Sequence, residues 1–77
     1  MALYYFDVFD GEPSARDTEG SELDGLASVR AEASETMAVL AQAALGKAVP
    51  YDITINVRDQ SGQPVLKAQL RFTIELA

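Results

Sequence analysis

The feature that most constrains this chain is a period-two run of apolar residues that appears twice, either side of a glycine-containing loop. Tyr51, Ile53, Ile55 and Val57 alternate with Asp52, Thr54, Asn56 and Arg58. After Asp59-Gln60-Ser61-Gly62-Gln63, the segment Pro64 to Leu76 alternates again. Leu66, Ala68, Leu70, Phe72, Ile74 and Leu76 share one side, and Lys67, Gln69, Arg71, Thr73 and Glu75 the other. Successive side chains of a strand point to opposite faces, so each run makes one apolar wall and one polar wall. A short loop with Gly placed for positive φ joins them as an antiparallel hairpin, half buried and half in water.

One hairpin cannot stand alone in water, so its apolar wall needs a cover. The candidate cover is a helix over Ser21 to Gly46. Leu26, Val29, Ala33, Met37, Leu40 and Ala44 recur at steps of three and four and form a stripe along one side. Seven alanines between Ala27 and Ala44 raise helix propensity and permit close approach to a sheet. Ser21 or Asp24 can cap the first turn, and Glu22 and Asp24 suit its dipole. Gly46 can close the helix, and Pro50 stops it from continuing.

Met1 to Asp10 supplies a further strand, with Tyr4, Phe6 and Val8 on one face and Leu3, Tyr5, Asp7 and Phe9 on the other. Asp10-Gly11 and Pro13 break it, and Ser14 to Thr18 is a weak candidate for a short return strand. The whole, residues 1–77, predicts one α+β domain in two layers. One helix packs on a three- to four-stranded, mainly antiparallel sheet, in the order β-(β)-α-β-β. A helical crossover would return Tyr51–Asp59 parallel to the first strand. The first strand then belongs beside the last, which is longest and is placed centrally; the alternative sets it beside Tyr51–Asp59.

Composition narrows the functional classes. With neither Cys nor His among 77 residues, disulfides and structural zinc are excluded. Nucleophilic catalysis would rest on Ser, Thr or Lys alone, and Lys47 and Lys67 occupy a helix end and a solvent-facing strand position. No phosphate-binding loop, dinucleotide fingerprint or nucleophile elbow occurs. The expectation is a non-catalytic domain without cofactor or metal. A formal charge of −6 argues against nucleic acid and against anionic membrane surfaces as partners. No apolar run approaches the ~20 residues that cross a bilayer, and the N-terminal residues read as a strand, not as an export signal. The cytoplasm is the expected setting.

Two surfaces are candidates for binding. The connection from Asp10 to Asp24 holds Asp10, Glu12, Asp17, Glu19, Glu22 and Asp24 against Arg16 alone, so nearly all the net charge lies there. The calcium-loop spacing is absent, so it reads as an acidic patch that could meet a basic protein. The outer sheet face is the second, with Leu3, Tyr5 and Phe9 where a solvated sheet prefers polar groups, rimmed by Arg58, Lys67 and Arg71. That face, or a strand edge, could bind a second copy as a homodimer, unless the Glu12–Ser21 connection folds over the rings.

Several stretches resemble a family of short uncharacterised domains common in rhizobial-type alphaproteobacteria. They are Leu-Tyr-Tyr-Phe-Asp-Val at 3–8, Asp10-Gly11, Asp17-Thr18-Glu19-Gly20-Ser21-Glu22-Leu23 and Val29-Arg30-Ala31-Glu32-Ala33. The family pattern runs R-Y-Y-F-H-V, D-G, D-x-E-G-x-E-L, A-x-x-E-A, then a terminal hairpin. The chain departs from it at Leu3, Asp7 and Phe9, so no role of the family's histidine carries over. The resemblance implies the same element order and no activity. Its D-x-E-G-x-E-L turn reads as structural, with Gly20 for a turn and carboxylates for the helix start. A fainter likeness to HicB-type antitoxin domains implies an alternative, a regulatory domain that binds a basic partner through residues 10–24.

Overall fold

A computed structural model describes residues 1–10, 15–46 and 49–77. The Asp10-Gly11 turn, Glu12, Pro13, Ser14 and Lys47 of the sequence reading lie wholly or partly outside the described residues. The elements are β1 (Ala2–Phe9), β2 (Ser21–Leu23), α1 (Leu26–Ala44), β3 (Tyr51–Asp59) and β4 (Pro64–Phe72). They form one four-stranded sheet, order β2-β1-β3-β4, antiparallel throughout, with α1 packed on one face.

The expected antiparallel hairpin forms, with Ile53 facing Leu70, Ile55 facing Ala68 and Val57 facing Leu66. The side chain of Asp59 organises its loop by accepting from the Ser61 N–H (2.9 Å), the Ser61 hydroxyl (2.7 Å) and the Gln63 N–H (2.9 Å). Gly62 takes φ of 92°, which a side chain would oppose. A bulge between Val57 and Arg58 shifts the register at the Pro64 end.

The helix begins later than its sequence signals suggest. Ser21, Glu22 and Leu23 pair with Tyr4, Leu3 and Ala2 as β2, so Ser21 does not cap and no acidic residue occupies the first helical turn. The break is Gly25, at φ 152° and ψ −170°, a conformation open essentially to glycine alone. It leads into the first turn without a side-chain cap.

This short strand also overturns the expected strand order. β2 carries the chain back to the starting end of β1 before the helix begins. The helix therefore runs in the same sense as β1, and β3 leaves its far end antiparallel to β1. The two can then be neighbours: Tyr4 to Phe9 pair with Asp59 to Thr54. β3 is central, and β4, placed centrally from its length, is an edge.

The dry interior is built from Val29, Ala33, Ala44, Ile53, Ile55 and Val57. Tyr4, Phe6, Val8, Leu23, Met37, Leu40, Leu66 and Ala68 pack around the cluster of Val29, Ile55 and Val57. Two expectations fail at the margins. Leu26, first in the apolar stripe, is 65% exposed. β4 ends at Phe72, so Ile74 and Leu76 face water at 60% and 95% exposure instead of lining the core. The reason is the partner: Tyr51, the first residue of β3, already pairs with Phe72. Among the described residues no helix is long and apolar enough to cross a membrane.

Candidate functional site

The two outer strand edges and the outer face of the sheet carry the groups available for recognition. At the β1 edge, Val8 and Ala15 exchange both backbone hydrogen bonds at 2.8 Å, and Ser21 pairs with Tyr4. Between those points the connection bows outward, and the Asp17 carboxylate fills the interval. Its Oδ2 accepts from the Phe6 N–H (3.0 Å), and its Oδ1 accepts from the N–H groups of Glu19 and Gly20 (3.1 Å each). One side chain thus takes the place of a missing strand residue and ties the following turn.

The turn folds onto the outer face. Gly20 sits at φ 77°, and a Cβ there would lie 3.0 Å from the Tyr5 ring and 3.1 Å from Leu3. Beside it, Arg58 stacks 4.4 Å from the Tyr5 ring centre. Its Nε donates to Asp7 Oδ2 (3.0 Å) and its Nη2 to the Asp17 carbonyl (2.7 Å), while the Asp17 N–H donates to Asp7 Oδ1 (2.9 Å). The ion pair is largely covered, with Arg58 20% and Asp7 14% exposed. Burial pushes the Asp7 carboxyl up, but the Arg58 and Asp17 hydrogen bonds and the charges of Arg58 and Arg16 together hold it below its ordinary value. Burial likewise opposes ionisation of Asp17, and the N–H groups of Phe6, Gly20 and Glu19, with the Arg58 charge, outweigh it.

The β4 edge differs. Because Val8 directs both its backbone groups at Ala15, alternation directs those of Tyr5, Asp7 and Phe9 at β3. Their partners Arg58, Asn56 and Thr54 point back, which leaves Val57, Ile55 and Ile53 to bond Leu66, Ala68 and Leu70. Lys67, Gln69 and Arg71 therefore aim their backbone N–H and C=O off the sheet, with no strand beside them among the described residues. Leu70 is 38% exposed on the apolar side of this edge, and Ile74 and Leu76, beyond the end of β4, are exposed as well. A gap of about 30 Å³ opens nearby between α1 and the sheet, lined by Ala41, Ala44, Leu45 and Leu70 among others.

The candidate outer-face residues do not form one patch. Leu3, Tyr5 and Arg58 lie under or against the 17–20 turn, so the connection covers the Tyr5 ring and the Leu3 side chain in part. Phe9 remains 43% exposed. Lys67 is exposed across from Asn56, and Arg71 pairs in solvent with Asp52 (2.8 Å). In the acidic segment, Asp17 is consumed by backbone donors and Asp10 is half-buried, its carbonyl accepting from the Tyr51 hydroxyl. Glu19, Glu22 and Asp24 are exposed, and Glu12 lies outside the described residues. Among the described residues, no three acidic groups come close enough to hold a metal ion.

Sequence reasoning passed over Asp7 and the apolar tail as functional features. Alternation placed Asp7 and Arg58 on one face, which was the available signal for their pairing. The same alternation predicts Ile74 and Leu76 in the core, where the structure does not place them.

A family model described as a domain of unknown function (DUF6894) matches residues 3–71. No curated protein and no solved structure matches the chain.

Proposed function

We propose, for a chain that belongs to the DUF6894 family of domains of unknown function, that it is a non-catalytic protein-interaction module whose contact region is the β4 edge and the apolar tail after it. One observation carries this reading. Among the described residues no strand pairs with the outward backbone groups of Lys67, Gln69 and Arg71, and Leu70 on this strand and Ile74 and Leu76 after it are exposed. Unpaired strand edges recruit another strand, and an alternating apolar segment beside the edge supplies specificity pockets with their contents. A non-catalytic role draws support from the outer-face charges: Asp7, Arg58 and Asp17 bond one another or nearby backbone, and Asp52 and Arg71 form a pair of their own.

The alternative, capture of a basic protein by the acidic segment, retains Glu19, Glu22 and Asp24 but loses Asp17 to the backbone. The setting we propose is the cytoplasm, where a chain without cysteine forgoes nothing. Kinship with the rhizobial-type members is likewise proposed, on Tyr4-Tyr5-Phe6 and Asp17-Thr18-Glu19-Gly20.

Photo-crosslinking in living cells tests the reading. A photoreactive residue replaces Ile74, Thr54 or Glu19 in turn. A discrete adduct from position 74, absent from position 54, is the expected result. Adducts from position 19 alone would move the contact to the acidic segment, and no adduct from 74 would overturn the reading.

A further inference from the structure

We infer that the partner at the β4 edge is a second copy of this chain, joined by antiparallel pairing of the two β4 strands and their tails about a two-fold axis at Arg71. The inference rests on the interaction reading above and names its partner. Three observations lead to it. Lys67, Gln69 and Arg71 offer outward backbone groups at alternate positions, the requirement for an antiparallel ladder. The tail continues the β4 alternation through Thr73, Ile74, Glu75 and Leu76, although β3 has no residue left to pair with it. The charges on the two segments are opposite, with Lys67 on β4 and Glu75 on the tail.

These constraints select one register. With Arg71 opposite Arg71 of the second copy, the other outward-bonding positions meet as Gln69 with Thr73 and Lys67 with Glu75, each twice by symmetry. On the apolar side Leu70 meets Phe72, Ala68 meets Ile74 and Leu66 meets Leu76. Each exposed tail residue thereby gains an apolar neighbour across the seam, and both Lys–Glu pairs are satisfied. No other register sets Lys67 opposite Glu75. A slip of two residues, with Gln69 on the axis, sets Lys67 against Arg71 and leaves Leu76 without an apolar partner. The central arginines are tolerable because each already holds its own Asp52 through Nε (2.8 Å) and Nη2 (3.2 Å).

The product is a continuous eight-stranded sheet with both helices on one face, the geometry of a two-fold axis perpendicular to the strands. Leu70 and the small gap below the helix end then lie at the seam instead of at the boundary with water. The outer face, with the Asp7–Arg58 pair and Phe9, takes no part.

The test measures mass in solution by light scattering and sedimentation, up to about 1 mM, on the full chain. The wild-type chain is expected at twice 8.3 kDa. Gln69→Pro removes an outward N–H that no bond among the described residues uses, so it should give a monomer with an unchanged circular dichroism spectrum. Lys67→Glu and Glu75→Lys concern exposed side chains, so folding is not at stake. Each alone should weaken the dimer by about tenfold by placing like charges opposite twice. The double swap should return the dissociation constant to within about threefold of wild type, since the pair is restored with its signs exchanged.

A dimer that survives Gln69→Pro, or single swaps that the double swap does not rescue, would overturn the inference. If Phe9→Asp dissociated the dimer instead, association would belong to the outer face. A wild-type chain that stays monomeric at 1 mM would also overturn it; the interaction reading would then stand or fall on the adduct at position 74, which would have to be a different protein.

Discussion

The two edges of this sheet are finished in opposite ways. At β1 the chain returns as β2, and where that return bows outward the Asp17 carboxylate bonds the Phe6 amide that would otherwise be bare. At β4 the outward groups of Lys67, Gln69 and Arg71 face no strand among the described residues, and an apolar tail trails from the end. Edge strands invite pairing with other chains, and proteins ordinarily blunt them. Here one edge is blunted with a dedicated acidic turn, while the other carries only exposed cations. The contrast separates residues that serve the fold from residues left for contact. Asp17, Gly20, Asp7 and Arg58 belong to the first kind; Lys67, Gln69, Ile74, Glu75 and Leu76 belong to the second.

The largest effect should come from removing the plug at the closed edge. Asp17→Ala strands the amides of Phe6, Glu19 and Gly20 and removes an ionised acceptor, a loss of about 3 kcal/mol in chemical unfolding. A change below about 1 kcal/mol would mean that the β1 edge is not closed by this side chain. Gly20→Ala comes next, at about 2 kcal/mol, from left-handed strain and contact with Tyr5 and Leu3. Adding Leu3→Ala should relieve part of the contact but none of the strain, so the two losses should be less than additive.

A smaller effect is the acid limb of the stability curve. Asp7 and Asp17 both have carboxyl pKa values lowered by folding. Their contribution is therefore complete above the unfolded value of about 3.9 and disappears as pH falls through the lower folded values. Denaturant midpoints measured from pH 6 down to 2 should fall steeply below about pH 4 in the wild type and less steeply in Asp17→Asn. Equal slopes would show that the covered carboxylates of the closed edge do not govern acid stability. The smallest effect belongs to the open edge. Gln69→Pro should change monomer stability by less than about 0.5 kcal/mol at micromolar concentration, whereas Ala68→Pro, one residue away, loses a ladder bond to β3 and should lose several times more.

Much of this contrast was hidden from the sequence for physical reasons. The hairpin was legible because eight residues of strict alternation, a Gly-containing loop and a second alternating run all agree on one structure. The helix body was legible from its stripe, but its start was not. Ser21-Glu22-Leu23 is too short to show a period, and Ser, Glu and Asp before an apolar stripe are also the residues of a helix start. The return strand is Ser21–Leu23, and of the Ser14–Thr18 candidate the described residues make only an isolated bridge, Ala15 to Val8. Without β2 in the reading, β4 falls at the centre, because only the return strand tells from which end the helix departs. The D-x-E-G turn is structural, as expected, but its carboxylates do not serve the helix start, which has no acidic residue in its first turn. Asp17 bonds the amide of a residue eleven positions away, which no local pattern encodes. The tail misled in the other direction: Ile74 and Leu76 keep the strand period but have no β3 residue to pair with.

Amide hydrogen exchange on the isolated chain at micromolar concentration puts the two edges side by side in one experiment. Phe6 and Val8 should exchange slowly, their N–H groups held by Asp17 and Ala15, while Lys67, Gln69 and Arg71 exchange near the rate of an open strand. Fast exchange at Phe6, or protection at Gln69 in a verified monomer, would contradict the division between a closed edge and an open one.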